Sequence, residues 1–140
     1  MKGMLSAEKE IEVRFSEVDM MGVVWHGAYA VYLEDAREAF GAKYGLSYSR
    51  YIDEYVFAPI VDLQVQYKRP LRYGMKALVR IAWRPSDAAK IVFDYEIVSP
   101  EDGTLFCKAT SVQVFMDRDY NLLWDSPAFY VAWKKQMGVL

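Results

Sequence analysis

The 140-residue chain holds one histidine, His26, and one cysteine, Cys107. A single cysteine cannot close an intrachain disulfide. One Cys and one His also cannot supply a Cys/His zinc site, a HExxH helix or any two-histidine mechanism. An all-carboxylate metal site stays open, but no metal is expected. The eight glycines never fall into GxGxxG or GxxxxGK[ST], so the recurrent dinucleotide and phosphate loops are absent, and there is no GxSxG elbow for a serine nucleophile. Neither sign of charge dominates: the net charge is −2, and the densest basic cluster is Lys68, Arg69 and Arg72, too small a footprint for duplex nucleic acid. No stretch approaches a membrane span. The opening from Met1 to Glu10 carries Lys2, Glu8, Lys9 and Glu10 without an apolar run, which argues against a secretory signal, so a cytoplasmic protein is expected.

Apolar and aromatic residues are abundant, at 54% and 16%. At this length they predict one domain over residues 1–140 around one core, and the surplus of aromatics points to a substrate pocket, a subunit interface or both. Residues 8–16 alternate Ile11, Val13 and Phe15 with polar residues and predict a strand. From about Gly27 to Tyr44 the period lengthens: Tyr29, Tyr32, Leu33, Ala36 and Phe40 fall on one helical face, and Gly45 supplies the stop. A short helical segment is expected around Ser47 to Glu54. Strands follow at Ala58 to Tyr67, Ala77 to Trp83, Ile91 to Ile97 and Phe106 to Val114, joined by tight connections. Cys107 sits in the last of them, where a small buried residue is the default. Ser126 as N-cap and Pro127 at the first helical position open a C-terminal helix. Strand, long helix and then four strands predict an α+β domain with one antiparallel sheet of about five strands against one helix.

Carboxylate chemistry assisted by backbone amides is what elimination leaves. Asp19 lies just before the long helix among Val18, Met20, Met21, Val23 and Val24, which would exclude water from it. The first helical amides, near His26, Gly27 and Ala28, lack intrahelical acceptors and could polarise a carbonyl; Gly22 and Gly27 would let backbone approach a ligand. A thioester suits so small an apparatus, because its leaving thiol, with a reference pKa of about 8.5, departs without strong acid assistance. Each residue has a plainer reading. An aspartate before a helix is commonly a turn or capping residue, His26 a cap or a packed imidazole, and Trp25 core or interface. Tyr29, Tyr32, Phe40, Tyr55 and Phe57 could line an acyl pocket, with the helix face core by default.

The run from Arg14 to His26 (RFSEVDMMGVVWH), followed by Tyr29, Tyr32-Leu33-Glu34 and Ala36-Arg37, resembles the signature of the 4-hydroxybenzoyl-CoA thioesterase family. Tyr67-Lys68-Arg69-Pro70-Leu71-Arg72-Tyr73-Gly74 resembles its later strand-and-turn motif, so the likeness spans most of the chain. It implies a hotdog fold, in which the antiparallel sheet wraps the long helix, and acyl-CoA thioesterase activity. It implies Asp19 as nucleophile or general base, and the His26 backbone N–H as the donor to the thioester oxygen. Substrate contacts would come from Gly22, Val24, Trp25, Gly27 and Tyr29, with Lys68, Arg69 and Arg72 as candidates for the phosphates of coenzyme A. The resemblance implies no cofactor beyond coenzyme A as part of the substrate, an acyl-CoA or acyl carrier protein thioester, and a homodimer or homotetramer. Where many members of the family carry an aspartate after Gly74, this chain has Met75. A non-catalytic acyl-thioester binding module and a hotdog hydratase or dehydratase are the competing readings.

Overall fold

The computed structural model describes residues 4–140; Met1 to Gly3 of the expected domain lie outside the described residues. Five strands, β1 (Ser6–Glu12), β2 (Ile60–Tyr67), β3 (Lys76–Arg84), β4 (Lys90–Val98) and β5 (Leu105–Val114), form one sheet in the order β1-β3-β4-β5-β2. Every neighbouring pair is antiparallel. The three helices are α1 (Tyr29–Tyr44), α2 (Tyr48–Asp53) and α3 (Ala128–Gln136).

Helix α1 is the core's central rod, since the residues of its expected apolar face, Tyr29, Tyr32, Leu33, Ala36 and Phe40, are all at most 3% exposed. They meet the period-two apolar rows of the sheet, including Val79, Ile81, Phe93, Tyr95 and Ile97. Gly45 ends the helix in the left-handed region, φ 81°, where its N–H and that of Leu46 both donate to the carbonyl of Gly41. At the far end α3 closes the core: Trp83 Nε1 donates to the Tyr130 hydroxyl at 2.9 Å, and Trp133 Nε1 to the Tyr44 carbonyl at 2.7 Å. Phe40 is the junction, with ring centroids of Tyr44 at 4.7 Å, Phe93 at 4.9 Å and Trp133 at 6.4 Å. Truncating it empties the contact among helix, sheet and α3 at once. Phe40→Ala is therefore expected to cost about 3–5 kcal/mol, read as a lower denaturation midpoint with unchanged slope.

Three local expectations are corrected. The first strand ends at Glu12, not residue 16, and Phe15 is 79% exposed. The cause is Glu17, whose carboxylate accepts the Arg14 N–H at 2.8 Å and turns Phe15–Glu17 into a 3₁₀ turn. At the C-terminal helix Pro127, not Ser126, occupies the N-cap, with no side-chain cap hydrogen bond. Finally, β2 and β3 follow one another in sequence without pairing, because β2 joins the sheet through β5 and β3 lies between β1 and β4. The connection between them is anchored by fully buried Leu71. Only the β3–β4 and β4–β5 connections are hairpins.

Candidate active site

Residues 18–24 form a tight loop stitched to the β2–β3 connection. Val18 bridges Val24, Val23 bridges Arg72, and the Val24 N–H donates to the Leu71 carbonyl at 2.8 Å. At its tip the Asp19 carbonyl accepts the Gly22 N–H at 3.0 Å, and Gly22 takes φ 77°, a conformation that favours glycine. Asp19 Oδ1 accepts the Met21 N–H at 2.8 Å and that of Val23, more weakly, at 3.4 Å. The turn-forming reading of Asp19 thus describes one of its oxygens. Its Oδ2 carries no hydrogen bond among the described residues, so the carboxylate is oriented by backbone while keeping a free lone-pair face.

The expected apolar surround of Asp19 is not built by this chain alone. Asp19 is exposed, and Met20 and Met21 stand at 105% and 80% exposure. Both methionines stand on the exposed tip of the turn.

From Trp25 the chain enters a 3₁₀ turn, His26–Ala28, that leads directly into α1. The Ala28 N–H donates to the Trp25 carbonyl at 3.0 Å, which removes it from the expected set of free amides. The amides of His26 and Gly27 have no acceptor among the described residues and remain donors at the head of a sixteen-residue helix. The His26 imidazole is exposed and meets the Trp25 ring edge-on at 5.6 Å. A Cβ built on Gly27 would lie 2.0 Å from the Trp25 ring, so glycine is what lets the indole fold over the start of the helix.

The remaining candidates divide by burial. Val24 and Tyr29 are core residues at 6% and 3% exposure, Tyr29 lying edge-on to Tyr67 at 4.8 Å. Burial raises the pKa of the Tyr29 phenol. Arg72 is carried beside the Asp19 turn by its backbone bridge to Val23, whereas Lys68 and Arg69 leave the end of β2 with their amides on the Phe106 carbonyl. All three are exposed, and none forms an ion pair among the described residues. The aromatic set expected to line a pocket does not converge: Tyr32 and Phe40 are core like Tyr29, while exposed Tyr55 and half-buried Phe57 lie beyond the other end of α1. A cavity of about 470 Å³ lies across the sheet from α1, among Gln64, Gln66, Arg84, Asp94, Lys108 and Thr110, and touches none of the candidates. Cys107 is buried, and burial pushes its thiol up to about 11, consistent with a packing role.

Two contributors escaped the sequence reading, Glu17 and Tyr67. Glu17 accepts the Tyr32 hydroxyl at 2.9 Å as well as the Arg14 amide, and its carbonyl takes the Trp25 N–H at 3.1 Å. One residue thereby ties the loop, the helix and the helix entrance together. Its place three residues after Arg14 was the available signal, since such a residue can reach back to the amide that opens a turn. Burial, and next the bond to Glu17, raise the pKa of Tyr32. Glu17→Ala leaves the Tyr32 hydroxyl unpaired, with an expected loss of about 1–3 kcal/mol and faster amide exchange in residues 18–28, read by hydrogen exchange. Tyr67 is the second contributor, its hydroxyl donating to the His26 carbonyl at 3.4 Å. Met75, the departure noted in the sequence, closes its own turn: its sulfur accepts the Arg72 N–H at 3.2 Å and its own amide donates to the Arg72 carbonyl at 3.1 Å. The turn closes on a thioether where an aspartate would supply an oxygen.

A five-stranded antiparallel sheet wrapped on one long helix defines the hotdog class. Residues 13–133 match the family described as the thioesterase-like superfamily, and the chain belongs to it. The chain is 39% identical over 113 residues to the "Putative acyl-CoA thioesterase YneP" of Bacillus subtilis (strain 168), covering 81% of each. Its fold superposes on the DHNA-CoA thioesterase from Staphylococcus aureus with a TM-score of 0.84 at 29% identity, covering 97% of this chain and 93% of that one. A 1,4-dihydroxy-2-naphthoyl-CoA thioesterase from Synechocystis shares the fold, with a TM-score of 0.82 at 20% identity over 95% of this chain and 98% of its own.

Proposed function

We propose that this protein hydrolyses acyl-CoA thioesters, with Asp19 as the reacting carboxylate and the His26 amide polarising the thioester carbonyl. The observation that carries the reading is a carboxylate held by one oxygen and free at the other, on the loop that runs directly into a helix whose entrance keeps two acceptor-less amides. The membership of the chain in the thioesterase-like superfamily and its likeness to YneP support the same chemistry. In the nucleophilic route Asp19 Oδ2 adds to the carbonyl carbon, the C–S bond breaks, thiolate departs, and water then hydrolyses the anhydride. In the general-base route Asp19 takes the proton of the attacking water and the thiolate leaves in the same sense. Either way negative charge builds on the carbonyl oxygen, where the amides act. Coenzyme A enters as part of the substrate, and kinship with the 4-hydroxybenzoyl-CoA thioesterases in particular is proposed on the run RFSEVDMMGVVWH.

The same proposal includes a homodimer, the minimal assembly that supplies a cover for the site, with a tetramer as its further association. Strand β2 is exposed along nearly its whole length, with Val61 at 56% and Tyr67 at 52% exposure, and its outer edge pairs with no other strand among the described residues. An unpaired apolar edge favours addition of another strand. Thiol release from a panel of short, long and aromatic acyl-CoAs, with acyl carrier protein thioesters alongside, tests the activity. Tight binding without turnover across that panel would support the non-catalytic reading instead.

A further inference from the structure

Helix α1 runs closest to β1 and β3, and the sheet continues past it to β5 and β2. The inward row of β2, set by its register against Cys107, Ala109 and Ser111 of β5, is Tyr67, Val65 and Leu63. These side chains face the helix side of the sheet and are not fully covered: Tyr67 and Leu63 are exposed and Val65 is half-buried. An apolar trough thus opens between the flank of α1 and the inner faces of β5 and β2. Its head is the candidate active site, since the Tyr67 hydroxyl donates to the His26 carbonyl and the Tyr67 ring meets that of Tyr29. Its far end is polar. Half-buried Arg37 lies on α1 two turns beyond Tyr29, and its Nη1 donates to the Tyr95 hydroxyl at 3.2 Å. Tyr95 in turn shares a 2.6 Å hydrogen bond with Ser111, whose partner on β2 is Leu63. Two separate paths give the same depth. The helix from Tyr29 to Arg37 spans about 12 Å at roughly 1.5 Å per residue, and the strand from Tyr67 to Leu63 about 13 Å at roughly 3.3 Å per residue.

The hydrogen-bond balance at that far end is one-sided. Tyr95 and Ser111 carry two hydroxyl hydrogens, their mutual bond uses one, and the other has no acceptor among the described residues. Burial raises the pKa of the Tyr95 phenol, so its proton stays on at neutral pH. Arg37 uses Nη1 alone; its Nε and Nη2 have no hydrogen-bond partner among the described residues. Glu34 and Glu38 of the same helix are exposed, and neither forms an ion pair with it. Among the described residues the sealed side-chain polar atoms without a partner are Arg80 Nε and Gln113 Oε1, so the spare nitrogens of Arg37 keep an opening. The Nε and Nη2 groups form the edge of a guanidinium that holds a carboxylate through two parallel bonds. Arg84 shows that use in the same molecule, donating from both to Asp94. Spare donors beside a partly buried cation with no counter-charge favour an anionic acceptor. Gln113 is the next inward residue of β5 after Ser111, and its sealed Oε1 repels an anion pushed deeper.

We propose that this trough is the acyl pocket and that Arg37, backed by Tyr95 and Ser111, binds a carboxylate at the far end of the acyl group, so that the substrate is the monothioester of a dicarboxylic acid. The inference rests on the thioesterase reading above and names the acyl class that reading leaves open. Arg37 sets specificity: it meets the substrate about two helical turns, roughly 12 Å, from the reacting carbonyl and takes no part in breaking the C–S bond. The second carboxylate of the substrate leaves unchanged on the product acid.

Thiol release from pairs of straight-chain acyl-CoAs of equal length, one ending in carboxylate and one in methyl, tests the pocket. At the length that spans the trough, the unmodified protein is expected to show a kcat/KM about tenfold or more higher for the carboxylate-ended member, the worth of one charge-assisted hydrogen bond. Arg37→Met keeps the reach of the side chain and removes its charge. It should cut kcat/KM about tenfold to a hundredfold for the carboxylate-ended substrate, mainly through KM, and far less for the methyl-ended one. Arg37→Lys should recover part of that loss, and Ser111→Ala should remove part of the preference. Circular dichroism and native mass spectrometry on the same samples read fold and assembly. No preference in the unmodified protein at any length, or an equal loss on both substrates in Arg37→Met, overturns the pocket and leaves the hydrolase reading standing. Subunits that separate in Arg37→Met and stay together in Arg37→Lys assign the guanidinium to an ion pair between copies, which also overturns it. Where no acyl-CoA releases thiol, calorimetry with the carboxylate-ended acyl-CoA decides. Binding weakened tenfold by Arg37→Met upholds the pocket while refuting hydrolysis, and unchanged binding refutes both.

Discussion

Asp19→Asn is expected to lower kcat for acyl-CoA hydrolysis by about three orders of magnitude or more, with KM little changed and the thermal midpoint within a few degrees of the parent. The substitution separates the two jobs of the side chain. The amide oxygen of asparagine can still accept the Met21 and Val23 amides that Oδ1 holds now, so the turn persists. What disappears is the anionic oxygen opposite, which alone could attack a carbonyl or take a proton from water. Steady-state thiol release, with circular dichroism on the same samples, reads both. Turnover within tenfold of the parent would remove Asp19 from the chemistry and leave it a turn residue.

The second large effect is expected from deleting a backbone amide. His26→Pro removes one N–H and should reduce kcat by about 10²–10³, the usual consequence of losing one donor to a developing oxyanion. Few positions tolerate proline so well. The His26 amide has no acceptor to lose, and position 26 opens a 3₁₀ turn that leads straight into α1. Trp25 already has the extended conformation, φ −75° and ψ 151°, that a following proline demands. His26→Ala is the matched control: it deletes the imidazole, keeps the amide and should cost less than about tenfold under the same reasoning. An alanine variant as inactive as the proline variant would assign the chemistry to the imidazole, which both lack, and favour a hydratase-like mechanism.

Local pattern carried a large part of the fold. The 3.6-residue spacing of Tyr29, Tyr32, Leu33, Ala36 and Phe40 could only be buried as one helical face, and the period-two rows in β3 and β4 could only be buried as strands. These are properties of neighbours in the chain, and sequence displays them directly. The order of strands is not such a property. Nothing within Ile60–Tyr67 distinguishes an edge strand from a central one, because its alternation suits either place. The long-range pairing of β2 with β5 is what leaves its other side bare.

The same division runs through the stretch from Asp19 to His26. Elimination from the amino-acid sequence was enough to propose Asp19 ahead of Cys107 and the lone imidazole, since it depends only on which groups exist. The tertiary structure decided how those groups are held. Glu17 accepting the Arg14 amide stops the first strand early, the same carboxylate holds Tyr32 fifteen residues on, and Leu71 accepting the Val24 amide pins the loop. The water exclusion expected of Met20 and Met21 failed for the same reason: hydrophobic residues bury only what the fold brings against them, and here one chain brings nothing. Residue types and their spacing set the chemistry available to this protein, and contacts between distant segments set which atoms are free to perform it.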